Sequence, residues 1–264
     1  MIPKVIHYCW FGRNPKPKLA EKCIRSWKKH CPDYEVIEWN EDNYDLSKAP
    51  LYVRQAYEAQ KWAFVTDYVR LQVVYEHGGI YMDTDVELIK PLDDLLTYDA
   101  YFGFEDERFI ATGLGFGARK HAPILKELMD DYQDTPFLLQ DGSYDVMPCP
   151  QRNTEIFRRH HLMQDGSRQI LDGDILILPP IVLCPIDFET KLRRYSADTI
   201  SIHWYDASWQ TEEERNHCAE EVKKQRKKKM VLFVKDRAKQ FLGEKTYLGI
   251  KKMVKRGNTE DADN

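Results

Sequence analysis

The chain has 264 residues, 42% hydrophobic and 31% charged, a size and polarity that fit one α/β domain, or one domain plus an appendage, and are ordinary for a soluble globular protein. Its six cysteines (Cys9, Cys23, Cys31, Cys149, Cys184, Cys218) form no C-x-x-C pair, which argues against a disulfide scaffold or a zinc site and for a reducing compartment. The net charge of −4 hides a strong asymmetry between an acidic body and a basic C-terminal segment.

Pro3 to Trp10 reads as a first strand, followed by a loop broken by Gly12, Asn14, Pro15 and Pro17. Leu19 to His30 carries Leu19, Cys23, Ile24 and Trp27 at helical spacing, and Tyr34 to Trp39 alternates like a second strand. Strand, helix and strand in this order predict a mainly parallel sheet. After a polar loop, Val53 to Glu76 reads as helix with a break near Trp62. Its second half is apolar nearly all round and should lie deep in the core. Asp67 and Arg70 stand inside it, three apart and so on one face, as a buried ion pair or as binding groups.

His77 to Leu92 follows. Gly78 and Gly79 supply a turn, Ile80 to Met82 a buried strand, and Asp83 and Asp85 come where that strand ends. Extended geometry would put both carboxylates on one face, where they repel unless a cation lies between them. Mg²⁺ or Mn²⁺ is the natural candidate, because hard ions take oxygen ligands and substrate phosphates. The alternative is an acidic, solvated turn.

Asp93 to Tyr98 predicts a short helix or turn and Tyr101 to Phe104 a strand. Ile110 to Ala118 is glycine-rich but lacks the G-x-G-x-x-G spacing of a dinucleotide site, and reads as a strand and turn lining a cleft. Helices are expected at His121 to Tyr132 and Thr154 to His161, with a loop from Gln140 to Asn153 between them. Late strands are expected at Asp174 to Val182 and around Ile200 to Ile202. From Lys223 to Arg256 basic residues heavily outnumber acidic ones, and Met230, Val234, Ala238 and Phe241 fall on one helical face. That pattern suits an anionic membrane surface first, a helix docked on the domain second and nucleic acid third. Two units are therefore expected, a catalytic domain over 1–210 and a basic helical tail over 211–264. No leader-like segment opens the sequence and no apolar run approaches the ~20 residues that span a bilayer. The expected location is cytoplasmic, peripheral on the inner face of the cell membrane.

PKVIHYCWFG near the start, AFVTDYVRLQVVYEHGGIYMDTDVELIKPL in the middle and HWYDASW near residue 209 together resemble glycosyltransferase family 32. That family includes capsular polysaccharide synthesis proteins and outer-chain mannosyltransferases, with a more distant similarity to the glucosylating domains of clostridial toxins. The resemblance implies a GT-A fold, a Rossmann-like α/β domain with a mainly parallel sheet flanked by helices. It implies a metal-dependent, retaining transfer from a nucleotide sugar, UDP being the expected carrier, to a glycan or lipid-linked acceptor, without nucleic acid.

By the same resemblance, Asp83 and Asp85 are the DXD pair: Asp85 meets the metal and Asp83 the ribose or the metal. Asp67 and Arg70 hold donor-sugar hydroxyls, and Trp10 lies by the nucleobase. His203, Ser208 and Trp209 close over the pyrophosphate and metal, with His203 counted among the metal ligands. A haloacid dehalogenase-like phosphatase also carries D-x-D after a strand, but it needs Thr or Val where this chain has Glu87. A non-catalytic carbohydrate-binding protein on a transferase fold is the remaining alternative. The intact acidic residues argue against such decay.

Overall fold

The computed structural model describes residues 1–188, 190–206, 220, 223 and 224. Contacts divide the chain into Met1–Trp209 and Gln210–Asn264, and the description below is of the first unit. The basic tail lies almost wholly outside the described residues.

The chain opens with β1 (Val5–Cys9), α1 (Lys18–His30) and β2 (Glu35–Trp39), and β2 pairs parallel to β1 from Val5↔Glu35 to Cys9↔Trp39. The predicted long helix is two helices, α2 (Leu51–Glu58) and α3 (Trp62–His77), broken before Trp62 as the sequence suggested. Then come β3 (Gly79–Tyr81), β4 (Val86–Leu88), β5 (Ala100–Gly103), β6 (Phe116–Ala118) and α4 (Pro123–Asp130). The described chain ends with α5 (Cys149–Arg159), β7 (Gln169–Leu171), β8 (Ile175–Leu178), α6 (Pro180–Leu183) and β9 (Ser201–His203).

Seven strands form one sheet in the order β2-β1-β3-β6-β5-β8-β7. β1 is parallel to β2 and β3, and β5 is parallel to β8. β6 runs antiparallel between β3 and β5, and β7 runs antiparallel at the edge. Five strands therefore point one way and two the other, the mainly parallel α/β sheet expected. Alternate residues feed two cores. Tyr81, Phe102 and Ile177 join the α2–α5 side, and Ile80, Tyr101 and Leu176 join the side of α1 and α6. Helix α3 packs on β1, β3 and β6, with Val65, Val69, Leu71 and Val74 excluded from water. Each such side chain contributes roughly 1.5–3 kcal/mol.

Three expectations are corrected. The fifth helix begins at Cys149 rather than Thr154: Pro148 is its N-cap and Pro150 lies in its first turn, where a missing N–H costs nothing. Strand β7 was not anticipated. The late strand stops at Leu178, because Pro179 and Pro180 start the short α6 instead.

Candidate functional site: a buried arginine between two aspartates

The turn after β3 is closer than a continuing strand. Val86 N–H donates to Asp83 O at 3.0 Å, so the segment folds back and β4 leaves the main sheet to pair antiparallel with β9. The two aspartates therefore do not share an extended face, a correction to the strand argument. Asp83 turns toward α3 and Asp85 toward β9. Helix α1 holds β4 in place: Trp27 Nε1 donates to Val86 O at 2.7 Å and Ser26 Oγ accepts from Leu88 N–H at 2.9 Å.

On the α3 side, Arg70 Nη2 is 3.2 Å from Asp67 Oδ1 and 3.3 Å from Asp83 Oδ1. Its other donors go to Thr66 O (3.0 Å), Thr66 Oγ1 (3.1 Å) and Thr112 Oγ1 (3.4 Å), and its guanidinium lies 5.1 Å from the Tyr81 ring centre. Tyr81 OH donates to Asp83 at 2.8 Å. Arg70 and Asp67 are 5% and 7% exposed, so this cation faces two carboxylates almost without water. Burial pushes the Asp67 carboxyl up to about 6 against the pull of Arg70. Burial also raises Asp83, again opposed by Arg70 and reinforced by Asp85. Burial would lower Arg70, but Asp83, Tyr81 and Asp67 outweigh it and hold the guanidinium charged.

On the other side, the register Val86↔His203 sets β9 beside the turn. His203 Nε2 stands 3.3 Å from Asp85 Oδ1, and the Asp206 N–H donates to Asp85 Oδ2 at 2.9 Å. Trp204 N–H donates to Asp85 O at 3.0 Å, so the aspartate is held by backbone and side chain. Burial would raise Asp85, yet His203 and the Asp206 amide prevail and keep it below the usual carboxylate range. His203 is thus the partner of Asp85, and its Nδ1 is buried without a hydrogen-bond partner among the described residues. Ser208 and Trp209 lie outside the described residues. Trp10 is half-buried just past β1, its Nε1 donating to Asn14 O at 2.6 Å. It shares with Asp83 the sheet edge where the parallel strands β1 and β3 end, the edge at which open α/β sheets bind ligands.

Several residues of this site were not singled out from sequence. Gly113 lies against Asp83: a Cβ there would sit 2.4 Å from Asp83 Oδ2 and 3.3 Å from Arg70 Nη1. Thr112 and Asn153 are fully buried beside Arg70, with Asn153 Nδ2 donating to Thr112 Oγ1 at 3.1 Å and Thr112 Oγ1 3.2 Å from Cys149 Sγ. Asn153 Oδ1 is a second buried polar atom left without a partner among the described residues. The glycine run at 110–118 was the one available hint, since close backbone approach needs glycine.

Among the described residues no group of three His, Cys, Asp or Glu is arranged to hold a metal by itself. The donor set still fits a hard divalent ion, which needs only one or two carboxylates when substrate phosphates supply the rest. Asp85, held ionised, and the gap kept open beside Asp83 Oδ2 by Gly113 are the features that fit.

Fold and site together define an α/β protein with an acidic turn at the end of a central strand. Residues 17–102 match the family described as "Glycosyltransferase sugar-binding region containing DXD motif". The chain is 32% identical over 108 residues to inositol phosphoceramide mannosyltransferase 3 of Schizosaccharomyces pombe, covering 38% of this chain and 29% of that protein. It is 32% identical over 74 residues to a human alpha-1,4-N-acetylglucosaminyltransferase, covering 28% of this chain and 20% of that one. The chain thus spans under a third of the length of these curated relatives. Among solved structures, the PaToxG glycosyltransferase is similar at a TM-score of 0.48 and 21% identity, over 60% of this chain and 68% of that one.

Proposed function

We propose that the chain is a glycosyltransferase that moves a sugar from a nucleotide-sugar donor to a glycan or lipid-linked acceptor in surface polysaccharide synthesis. The observation that carries this is the arrangement of Asp67, Arg70, Asp83 and Asp85 around one acidic turn, inside the stretch that matches a DXD sugar-binding family. The phosphatase and binding-protein readings have no comparable support.

In this reading Asp85, fixed by His203 and the Asp206 amide, and Asp83 would hold Mg²⁺ or Mn²⁺. The bound cation supplies Lewis-acid stabilisation of the charge that grows on the leaving nucleoside diphosphate. Arg70 holds Asp67 and Asp83 in place while Asp67 accepts hydrogen bonds from sugar hydroxyls. Trp10 lies by the base, and His203, Ser208 and Trp209 close over the diphosphate. Both Asp67 and Asp83 are engaged by the Arg70 cation, which makes them poor covalent nucleophiles. That favours retention by front-face attack over a double displacement. UDP is the carrier to test first. The lipid named for the yeast relative supports a lipid-linked acceptor here.

The test is a panel of UDP- and GDP-sugars incubated with the full chain and Mg²⁺ or Mn²⁺, scored for release of nucleoside diphosphate. Metal-dependent release from one donor, lost in Asp85→Ala, is the expected result. Release that survives the substitution would remove Asp85 from the site.

A further inference from the structure

Beside His203 the chain forms a second, cationic feature. Ile186 and Arg193 are joined by an antiparallel bridge, and Asp187 N–H donates to Leu192 O at 2.9 Å, closing a short hairpin. The Asp187 carboxylate is turned into that hairpin, accepting the Thr190 N–H at 2.6 Å and the Thr190 hydroxyl at 2.5 Å. Its charge is directed inward. Glu189 lies outside the described residues, and beyond Thr190 the sequence continues Lys191-Leu192-Arg193-Arg194-Tyr195, so the segment holds three basic residues against Asp187 and Glu189. Phe188, Leu192 and Tyr195 are 46%, 52% and 48% exposed, and Arg193 and Arg194 are exposed between the last two, although Phe188 also rests 5.0 Å from the Tyr205 ring and the Arg193 guanidinium 5.3 Å from the Trp204 ring. Lys191 Nζ lies 4.6 Å from the Phe188 ring centre and 4.5 Å from that of Tyr205. The Tyr205 ring in turn lies 4.1 Å from His203, so the hairpin is anchored at the edge of the candidate site.

Single exposed apolar side chains are ordinary on a protein surface. Three of them interleaved with adjacent arginines on one hairpin form a different pattern, apolar groups that can enter a headgroup layer among cations that can meet its phosphates. The other apolar hairpin makes the contrast. It exposes Leu138, Leu139, Tyr144, Val146 and Met147, but from Asp134 to Met147 it carries aspartates and no Lys or Arg, so an anionic surface would repel it.

We propose that the hairpin from Ile186 to Tyr195 seats the protein on an anionic lipid surface. Phe188, Leu192 and Tyr195 enter the headgroup layer, and Arg193 and Arg194 pair with lipid phosphates. The seating stands on the hairpin alone. Its consequence, that Asp85 and His203 are held close to a lipid-linked acceptor, rests on the glycosyltransferase reading above.

The experiment is hydrogen exchange on the full chain with vesicles of phosphatidylcholine, with and without phosphatidylglycerol, and with inorganic pyrophosphate as a soluble anion. The expected result is slower exchange across 186–195 with the anionic vesicles and not with the other two. Phe188→Ser with Leu192→Ser, and separately Arg193→Glu with Arg194→Glu, should each weaken partitioning onto anionic vesicles about tenfold or more at unchanged melting temperature. Because exchange reports on the hairpin directly, binding through the basic tail would not imitate it. No protection on vesicles, or equal protection by pyrophosphate, would overturn the proposal, as would unaltered partitioning of both variants. Absence of nucleotide-sugar turnover would count against the enzyme reading and leave the vesicle result standing.

Discussion

Arg70 and Asp83 meet at 3.3 Å although one stands in the middle of α3 and the other beyond the end of β3. The contact ties the helix packed on β1, β3 and β6 to the acidic turn, and Asp67 completes it from the same helix face at 3.2 Å. A cation shared by two carboxylates in so dry a place is a condition for the turn's shape as much as for its chemistry. Removing one member leaves the others uncompensated.

Arg70→Met should therefore destabilise the fold by about 3–5 kcal/mol, the usual cost of orphaning buried charge. Urea unfolding measures it. Arg70→Lys, which keeps the charge but cannot reach Thr66, Thr112 and both aspartates together, should recover only part of that loss.

Gly113→Ala places a methyl group where Asp83 Oδ2 now sits within 2.4 Å. The backbone or the carboxylate must shift, at a cost of roughly 1–3 kcal/mol. Donor turnover should fall much further than stability. A variant with full turnover would mean that Asp83 need not stand where the structure has it.

His7 sets a pH dependence of stability that is separate from the site. Its ring is fully buried, with Nε2 2.9 Å from Gly78 O and Nδ1 3.1 Å from Trp39 Nε1. The indole N–H can only donate, so Nδ1 must accept and Nε2 carries the hydrogen. Burial lowers its pKa from 6.5 to about 4. The unfolded chain then binds the proton first, so stability falls as pH drops from the unfolded value toward the folded one. The total loss is about 3 kcal/mol. His7→Gln should remove this slope, visible as the difference between wild-type and variant unfolding curves across that window.

His160 gives the opposite sign. Burial lowers its pKa, but Glu127 at 3.0 Å and Asp172 outweigh it and the net direction is upward. Its contribution is complete below the unfolded pKa and disappears as pH rises through the folded one. His160→Gln should lower stability at acidic pH and leave it nearly unchanged at alkaline pH, read by thermal melts at the two ends.

Sequence by itself determined what depends on near neighbours. The alternation of β1 and β2, the periodicity of α1 and the all-round apolar character of α3 follow from local geometry, and three-residue spacing on a helix sufficed to pair Asp67 with Arg70. Tertiary structure decided the rest. Asp83 and Asp85 share a short D-x-D, yet the turn between β3 and β4 sends one to Arg70 and the other to His203. That division depends on β4 leaving the main sheet to meet β9, which no local pattern states. Gly113, Thr112 and Asn153 reach Arg70 because β6 runs between β3 and β5 and α5 starts at Cys149. A helix fixes its neighbours within one turn, whereas the partners of a strand end are set by the order in which the whole sheet is assembled.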